Sequence, residues 1–428
     1  MAIFFNNSKQ HVTGNPRRMK RFLGREPLYY GWTIALVLAI TETVSFGVLF
    51  YAFPVFIAPM EAEFGWTRGE ISGAFSLSLL ITGLVALPVG YWLDKHGSRL
   101  LMTAGSAGAT ITVLLWSRVG SFHELILVMA LMGFFGAAIL YEPAFAVIAS
   151  WFKHKRGRAM AVLTFIAGFS STIFTPLSHA LLEAHGWRGA IMILGLILGA
   201  ITIPLHALFL RGKPADLGLE MDGETAATEP SDQPAIDLRA VLRSRYFWLL
   251  TLAFALSTLS IYAVRIHFIP LLISVNIQPG SAALASGSIG VMQVVGRMIF
   301  APIETRFSSR AMATGVFILL TISLAILLLG SAPLLIVLFV ALFGMAIGTH
   351  TLTRPLMVAD RYGTSHYGRI SSSMVIFLTL AGTMSPFAAG LLFDAFGSYN
   401  PVLMLACGFS LLSIVLIWLL PKRELGHF

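Results

Sequence analysis

Twelve runs of apolar residues, each long enough to cross a bilayer, leave this chain little choice of solvent. They lie at 30–58, 69–93, 100–118, 124–150, 158–183, 189–210, 247–274, 281–303, 311–330, 334–358, 369–394 and 401–421, here spans 1 to 12. A helix needs about 20 apolar residues to span the hydrocarbon core, and in lipid the backbone has to satisfy its own polar groups. An all-α membrane protein of twelve transmembrane helices is therefore expected. Composition agrees: 57% of the 428 residues are hydrophobic and 11% charged, whereas a soluble domain carries about 25% charge.

The formal charge of +9 raises the question of nucleic acid, but where the bases lie answers it. Lys and Arg gather in the N-terminal tail and in alternate loops: Lys95 and Arg99; Lys153, Lys155, Arg156 and Arg158; Arg211, Lys213, Arg239, Arg243 and Arg245; Arg306 and Arg310; Arg361 and Arg369; Lys422 and Arg423. The intervening loops hold Arg68, Arg118 and Arg188. That bias is a membrane-orientation signal, so no nucleic acid is expected and both termini are placed in the cytoplasm. A plasma-membrane location follows, in a bacterium the inner membrane. No apolar core followed by a cleavage site precedes Tyr29, so no removable signal peptide is read. The one cysteine, Cys407, excludes an internal disulfide.

Between spans 6 and 7 the chain turns polar, with GKPADLGLEMDGETAATEPSDQP inside 211–246. The organisation read from this is a cytoplasmic tail (1–28), a six-helix bundle (29–210), a linker (211–246), a second six-helix bundle (247–421) and a short cytoplasmic tail (422–428). The halves repeat. Trp32 and Pro54 match Trp248 and Pro270 at a spacing of 216, while Gly157-Arg158 match Gly368-Arg369 at 211, as do Glu183 and Asp394 at the outer ends of spans 5 and 11.

The loop between spans 2 and 3 reads Gly-Tyr-Trp-Leu-Asp-Lys-His-Gly-Ser-Arg from Gly90 to Arg99. Its pattern G-x-x-x-D-K-x-G-x-R resembles the signature loop of the major facilitator superfamily. The resemblance implies two pseudo-symmetric bundles related by an axis along the membrane normal, with substrate held near midplane between them. It also implies a conformational latch of Gly90, Asp94, Lys95, Gly97 and Arg99, in which Asp94 caps and pairs with neighbouring helix ends to hold the outward-facing state. The second copy has lost its acid and glycines (Ala301, Thr305, Ser308) but keeps Arg306 and Arg310.

An ionisable group at bilayer depth costs at least about 2.5 kcal/mol on insertion scales, so one that remains faces a wet cavity or a partner. These are Glu42, Glu142, Arg265, Arg297, His350 and Arg354. All but Arg297 fall in spans 1, 4, 7 and 10, which line the cavity in the proteins this one resembles. The acids belong to the first half and the arginines to the second. Glu142-Pro143 aligns with Arg354-Pro355 at a spacing of 212, so the two charges are placed to face each other, as a gate or as a plain interhelical salt bridge. Thr258, Tyr262 and Arg265 form a polar stripe at i, i+4, i+7 on span 7. His267 lies off that stripe and reads as a hydrogen-bonding residue.

Gln293 and Arg297 stand one turn apart in span 8. Here the chain resembles the monocarboxylate and oxalate/formate porters, in which an acid precedes a substrate-binding arginine by four. Tyr30-Gly31-Trp32 and the run Trp151 to Met160 extend the match. Gln293 departs from it in place of the aspartate, and the span 1 lysine of animal members is missing, since Phe46 to Leu49 is apolar apart from Gly47. The other reading of Arg297 is a packing residue of a Gly-Arg motif.

Arginine keeps its proton at any relevant pH and presents a planar fork that suits a carboxylate. The expected function is secondary active transport of a small organic anion, monocarboxylate-like, by alternating access. Arg297, Arg265, Tyr262, Gln293 and Arg354 are the candidate binding residues, and Glu42, Glu142 and His350 the candidate proton carriers. The competing reading is proton-driven efflux of amphipathic, drug-like molecules. A sensor that has kept the fold and a channel are further rivals. No phosphate loop, metal-ligand spacing or activated nucleophile appears, so no enzyme activity, cofactor or metal is expected. The expected partners are the substrate anion, protons and the lipid bilayer, with the chain acting as a monomer.

Overall fold

A computed structural model describes residues 29–223, 238–304, 306–362 and 367–421, without the side chains at 94, 238, 239, 301, 367–369 and 372. Both tails, the middle of the linker, Thr305 and the side chain of Asp94 thus lie outside the described residues.

The helices are α1 (Tyr30–Phe46), α2 (Phe53–Phe64), α3 (Arg68–His96), α4 (Ser98–Trp116), α5 (Phe122–Gly136), α6 (Tyr141–Trp151), α7 (Arg156–Ala167), α8 (Ser170–Phe209), α9 (Leu238–Arg243), α10 (Arg245–Ser274), α11 (Pro279–Glu304), α12 (Ser309–Leu329), α13 (Pro333–Tyr362), α14 (Tyr367–Phe396) and α15 (Asn400–Trp418). Polar caps start several of them. Thr67 and Glu70 exchange hydrogen bonds at the head of α3, and Ser121, Ser244 and Ser308 cap α5, α10 and α12, satisfying donors that the first turn leaves free.

Among the described residues, eleven helical stretches are long and apolar enough to cross a membrane, and one of them, Arg156–Phe209, turns at Gly186 with φ 68°. The chain therefore crosses twelve times, in two bundles of six. Each bundle has its own apolar core. Phe53 stacks on Phe75 with centroids 4.2 Å apart in the first, and Phe339 on Phe343 at 4.7 Å in the second.

The bundles differ inside. Three spans of the first are interrupted: span 1 by a π-helical segment at Gly47–Tyr51, span 4 between Gly136 and Tyr141, and span 5 at Gly168 and Phe169. Their counterparts α10, α13 and α14 run through. Hydropathy alone predicts all three as single helices, because the chain stays apolar through each break.

Call the end bearing Glu61, Glu63, Glu70, Glu124, Glu183 and Asp394 the acidic face, and the end bearing Lys95, Arg99 and Lys153 the basic face. Along the bundle interface α3 packs against α14, and α8 against α11. One stripe of α3 meets α14 from Gly69 and Gly73 to Gly83, where added methyl groups would strike Asp394 or Leu391, Phe387 and Thr379 in turn. Nearer the basic face the stripe is bare. Leu87 is 81% exposed, and nothing lies within 4 Å of where a Gly90 side chain would be.

The linker is folded where it leaves the first bundle. Asp222, in a left-handed conformation (φ 60°), accepts hydrogen bonds from the N–H groups of Lys153, His154 and Lys155 ahead of α7. Burial alone raises its pKa, but those three donors outweigh it and hold the carboxyl below the usual carboxylate range.

Candidate functional site

Arg265 and Arg297 are each placed by a long helix of the second bundle and held by a neutral group of the first. Arg265, on α10 at nine residues or roughly 14 Å from the acidic end of its helix, donates from Nη2 to the Tyr51 hydroxyl, and its guanidinium lies 4.6 Å from that ring's centre. Tyr51 closes the π-helical segment of span 1. Arg297, seven residues or roughly 10 Å from the basic end of α11, donates from Nη1 to the Thr164 carbonyl at 2.7 Å. Thr164 belongs to the last turn of α7, so the guanidinium sits at the negative end of a broken helix. The same carbonyl accepts from Gly168 N–H at 3.0 Å.

Neither arginine makes an ion pair among the described residues. They are near enough for their charges to act on each other. One turn before Arg297, Gln293 is 4% exposed, and both its Nε2 and Arg297 Nε are buried donors without a partner. A small cavity beside Arg265 is lined by Phe50, Tyr51, Pro54, Ser171, Ile266, Ser286 and Ile289, with about 10 Å³ of free volume, the size of one water. Tyr262 lies between the two cores, edge-on to Phe50 at 5.9 Å.

The acids lie in the first bundle. Glu42 is fully buried on α1, and neither carboxyl oxygen has a hydrogen-bond partner among the described residues. Glu142, in the first turn of α6 just after the break in span 4, is exposed and acts electrostatically on Glu42. Tyr141 lies within electrostatic reach of both Glu42 and Arg297, linking the acids to the arginines.

One expectation changes. Glu142 and Arg354 are aligned by the repeat, but they form no ion pair among the described residues; the break ahead of α6 seats Glu142 beside Glu42 instead. His350 accepts or donates at 2.8 Å with Ser257 Oγ and packs against Phe254, within its own bundle, with Arg354 close enough to act on it.

The latch expectation rests on the Asp94 side chain, which lies outside the described residues; its neighbours in the loop are placed as follows. Arg99 Nε donates to the Ala207 carbonyl at 2.6 Å, Lys95 turns back to the Tyr91 hydroxyl, and Gly97 takes φ 77° with an added methyl 3.2 Å from Gly212 Cα. These contacts stay inside the first bundle, and Gly90 packs against nothing. Arg310 copies Arg99 by donating to the Leu420 carbonyl. That shared capping role explains why arginine survives in the second copy after the acid and glycines are gone. Nothing in the residue pattern marks Tyr51, Thr164 or Tyr141, whose partners lie over 100 residues away or in another span.

The model of the Major Facilitator Superfamily matches residues 36–275 and 255–427. Monocarboxylate transporter 12 of Xenopus laevis is 23% identical, covering 92% of this chain and 89% of that protein. The uncharacterized MFS-type transporter YcxA of Bacillus subtilis (strain 168) is 24% identical over 85% of this chain and 89% of its own. A bacterial homolog of the human lysosomal transporter Spinster, solved inward-facing and unoccupied, superposes with a TM-score of 0.68 at 15% identity, covering 92% of this chain and 95% of that one. These relatives are transporters and not enzymes. With its twelve crossings, paired bundles and signature loop, this chain belongs to the Major Facilitator Superfamily and resembles its monocarboxylate branch.

Proposed function

We propose that this protein is a proton-coupled transporter of small organic anions, monocarboxylates first among them, working as a monomer in the plasma membrane with its basic face in the cytoplasm. The observation that carries the reading is the pair Arg265 and Arg297: two like charges near enough to act on each other, each held by a neutral oxygen of the opposite bundle. A carboxylate between them relieves that repulsion and offers a stronger, charge-assisted acceptor. Taking the guanidiniums from Tyr51 and Thr164 also removes two ties between the bundles, which links binding to movement. Gln293 supplies a further donor to the anion, Tyr262 a wall of the crevice, and Arg354 adds positive charge.

Glu42 carries the proton in this scheme, with Glu142 passing it to and from the wet side; His350 is a second carrier. The bare basic half of the α3 stripe supports an inward-open state here, the state named for the Spinster homolog. Loading counterflow in proteoliposomes with labelled small carboxylates, and in parallel with cationic drugs, tests the proposal. Carboxylates are expected to exchange, and Arg297→Ala and Arg265→Ala to abolish that exchange. Unchanged uptake in both variants, or exchange of the cations alone, discards the anion site in favour of drug efflux.

A further inference from the structure

At the acidic face, one side chain from the second bundle is seated on a helix end of the first. Asp394, near the end of α14, accepts from Arg68 N–H through Oδ1 at 3.2 Å and from Gly69 N–H through Oδ2 at 2.8 Å. These are first-turn donors of α3, which has no intrahelical use for them, at the end where a helix dipole favours negative charge. The backbones meet closely there. A methyl group on Gly390 would lie 2.8 Å from both Arg68 O and Gly69 Cα.

The surrounding contacts also run between the bundles. Arg68 donates to Tyr399 OH at 3.0 Å and lies over the Phe393 ring at 3.9 Å, while its Nε holds Glu61 at 2.7 Å. His267 bonds Tyr399 OH at 3.0 Å and reaches Ser72 Oγ of α3 at 3.2 Å.

The repeat supplies a control inside the same molecule. The spacing of 211 that relates Asp394 to Glu183 also relates Gly69 to Gly280, at the head of α11. Glu183 does not clasp that helix. Its side chain is 71% exposed and pairs with His179 at 3.2 Å on its own helix. The fold can therefore be built without an acid on the opposing helix end, and it places one at a single corner.

We infer that Asp394 is the positioning residue that holds the acidic face shut: its charge-assisted cap on α3 is the tie that has to break each time the transporter opens on that side. The clasp acts on the access equilibrium and is independent of which molecule is carried.

Thiol labelling of purified protein, in a Cys407→Ser background, reads this directly. Ser72→Cys reports the acidic side, being fully buried at the clasp, and Leu87→Cys reports the exposed basic side. Asp394→Asn is expected to speed labelling of Ser72→Cys about tenfold, the scale of a lost hydrogen bond to a charged group, and to slow labelling of Leu87→Cys in the same preparation. Gly390→Ala, which pries the clasp apart without removing the acid, shifts both rates the same way, and Glu183→Gln shifts neither. Unchanged rates in Asp394→Asn and Gly390→Ala overturn the inference. So does faster labelling at Ser72→Cys without the reciprocal fall at Leu87→Cys, which reports local loosening, or an equal effect of Glu183→Gln.

Discussion

α3 and α14 lie side by side along the bundle interface, yet their two ends are held in opposite ways. At the acidic end the polar ties cross between bundles: Asp394 to α3, Arg68 to Tyr399, His267 to Ser72. At the basic end those among the described residues stay at home. Arg99 caps Ala207, Arg310 caps Leu420, and Asp222 binds the loop ahead of α7. Among the described residues, the polar tie between bundles that lies furthest toward the basic face is Arg297 with Thr164. Each bundle is thus stabilised locally, and the contacts that have to alternate in transport are few and concentrated.

The sharpest way to break this comparison is to close the open end. The antiparallel register that sets Gly73 against Phe387 and Gly83 against Thr379 continues to Leu87 opposite Val375. A Leu87→Cys/Val375→Cys pair without Cys407, oxidised during turnover, is expected to trap the basic end shut and all but abolish uptake, with recovery on reduction. Next in size is Glu42→Gln, which should remove the pH dependence of uptake while leaving exchange, as measured by counterflow across a range of pH. A residue buried with both oxygens unpartnered has little else to do.

Two smaller effects sharpen the contrast. Arg99→Ala and Arg310→Ala each remove a cation from a helix C-terminus, worth about 0.3–1 kcal/mol, so both should lower the melting temperature and leave labelling at Ser72→Cys unchanged. Asp222→Asn is the mildest. Its folded pKa lies below the ordinary value of 3.8, so its stabilisation is full above the unfolded value and lost as pH falls through the folded one. The difference in melting temperature between variant and parent should be present at neutral pH and vanish in strong acid.

The twelve crossings, the repeat and the signature loop were legible because hydropathy and punctuation record them directly. The arginines were legible for a related reason, since a charge inside an apolar run demands an explanation. What stayed hidden is long-range or silent in hydropathy. The breaks in spans 1, 4 and 5 occur within apolar chain, so no period or composition marks them. Thr164 is 133 residues from Arg297, and Asp394 is 325 from Gly69. Asp222 looked like one acid in a polar linker, and its role depends on three N–H groups nearly 70 residues earlier. Glu142 misled because the repeat aligned it with Arg354, while the local break ahead of α6 turned it toward Glu42.

The most direct test of the whole account is to follow both reporters, Ser72→Cys and Leu87→Cys, while a small carboxylate that counterflows is added to the purified protein. If arginine-bound anion drives one interface between two closures, labelling should rise at the acidic end and fall at the basic end over the same concentration range, and Arg297→Ala should abolish both changes. Parallel changes at the two ends, or the same response in Arg297→Ala, would contradict it.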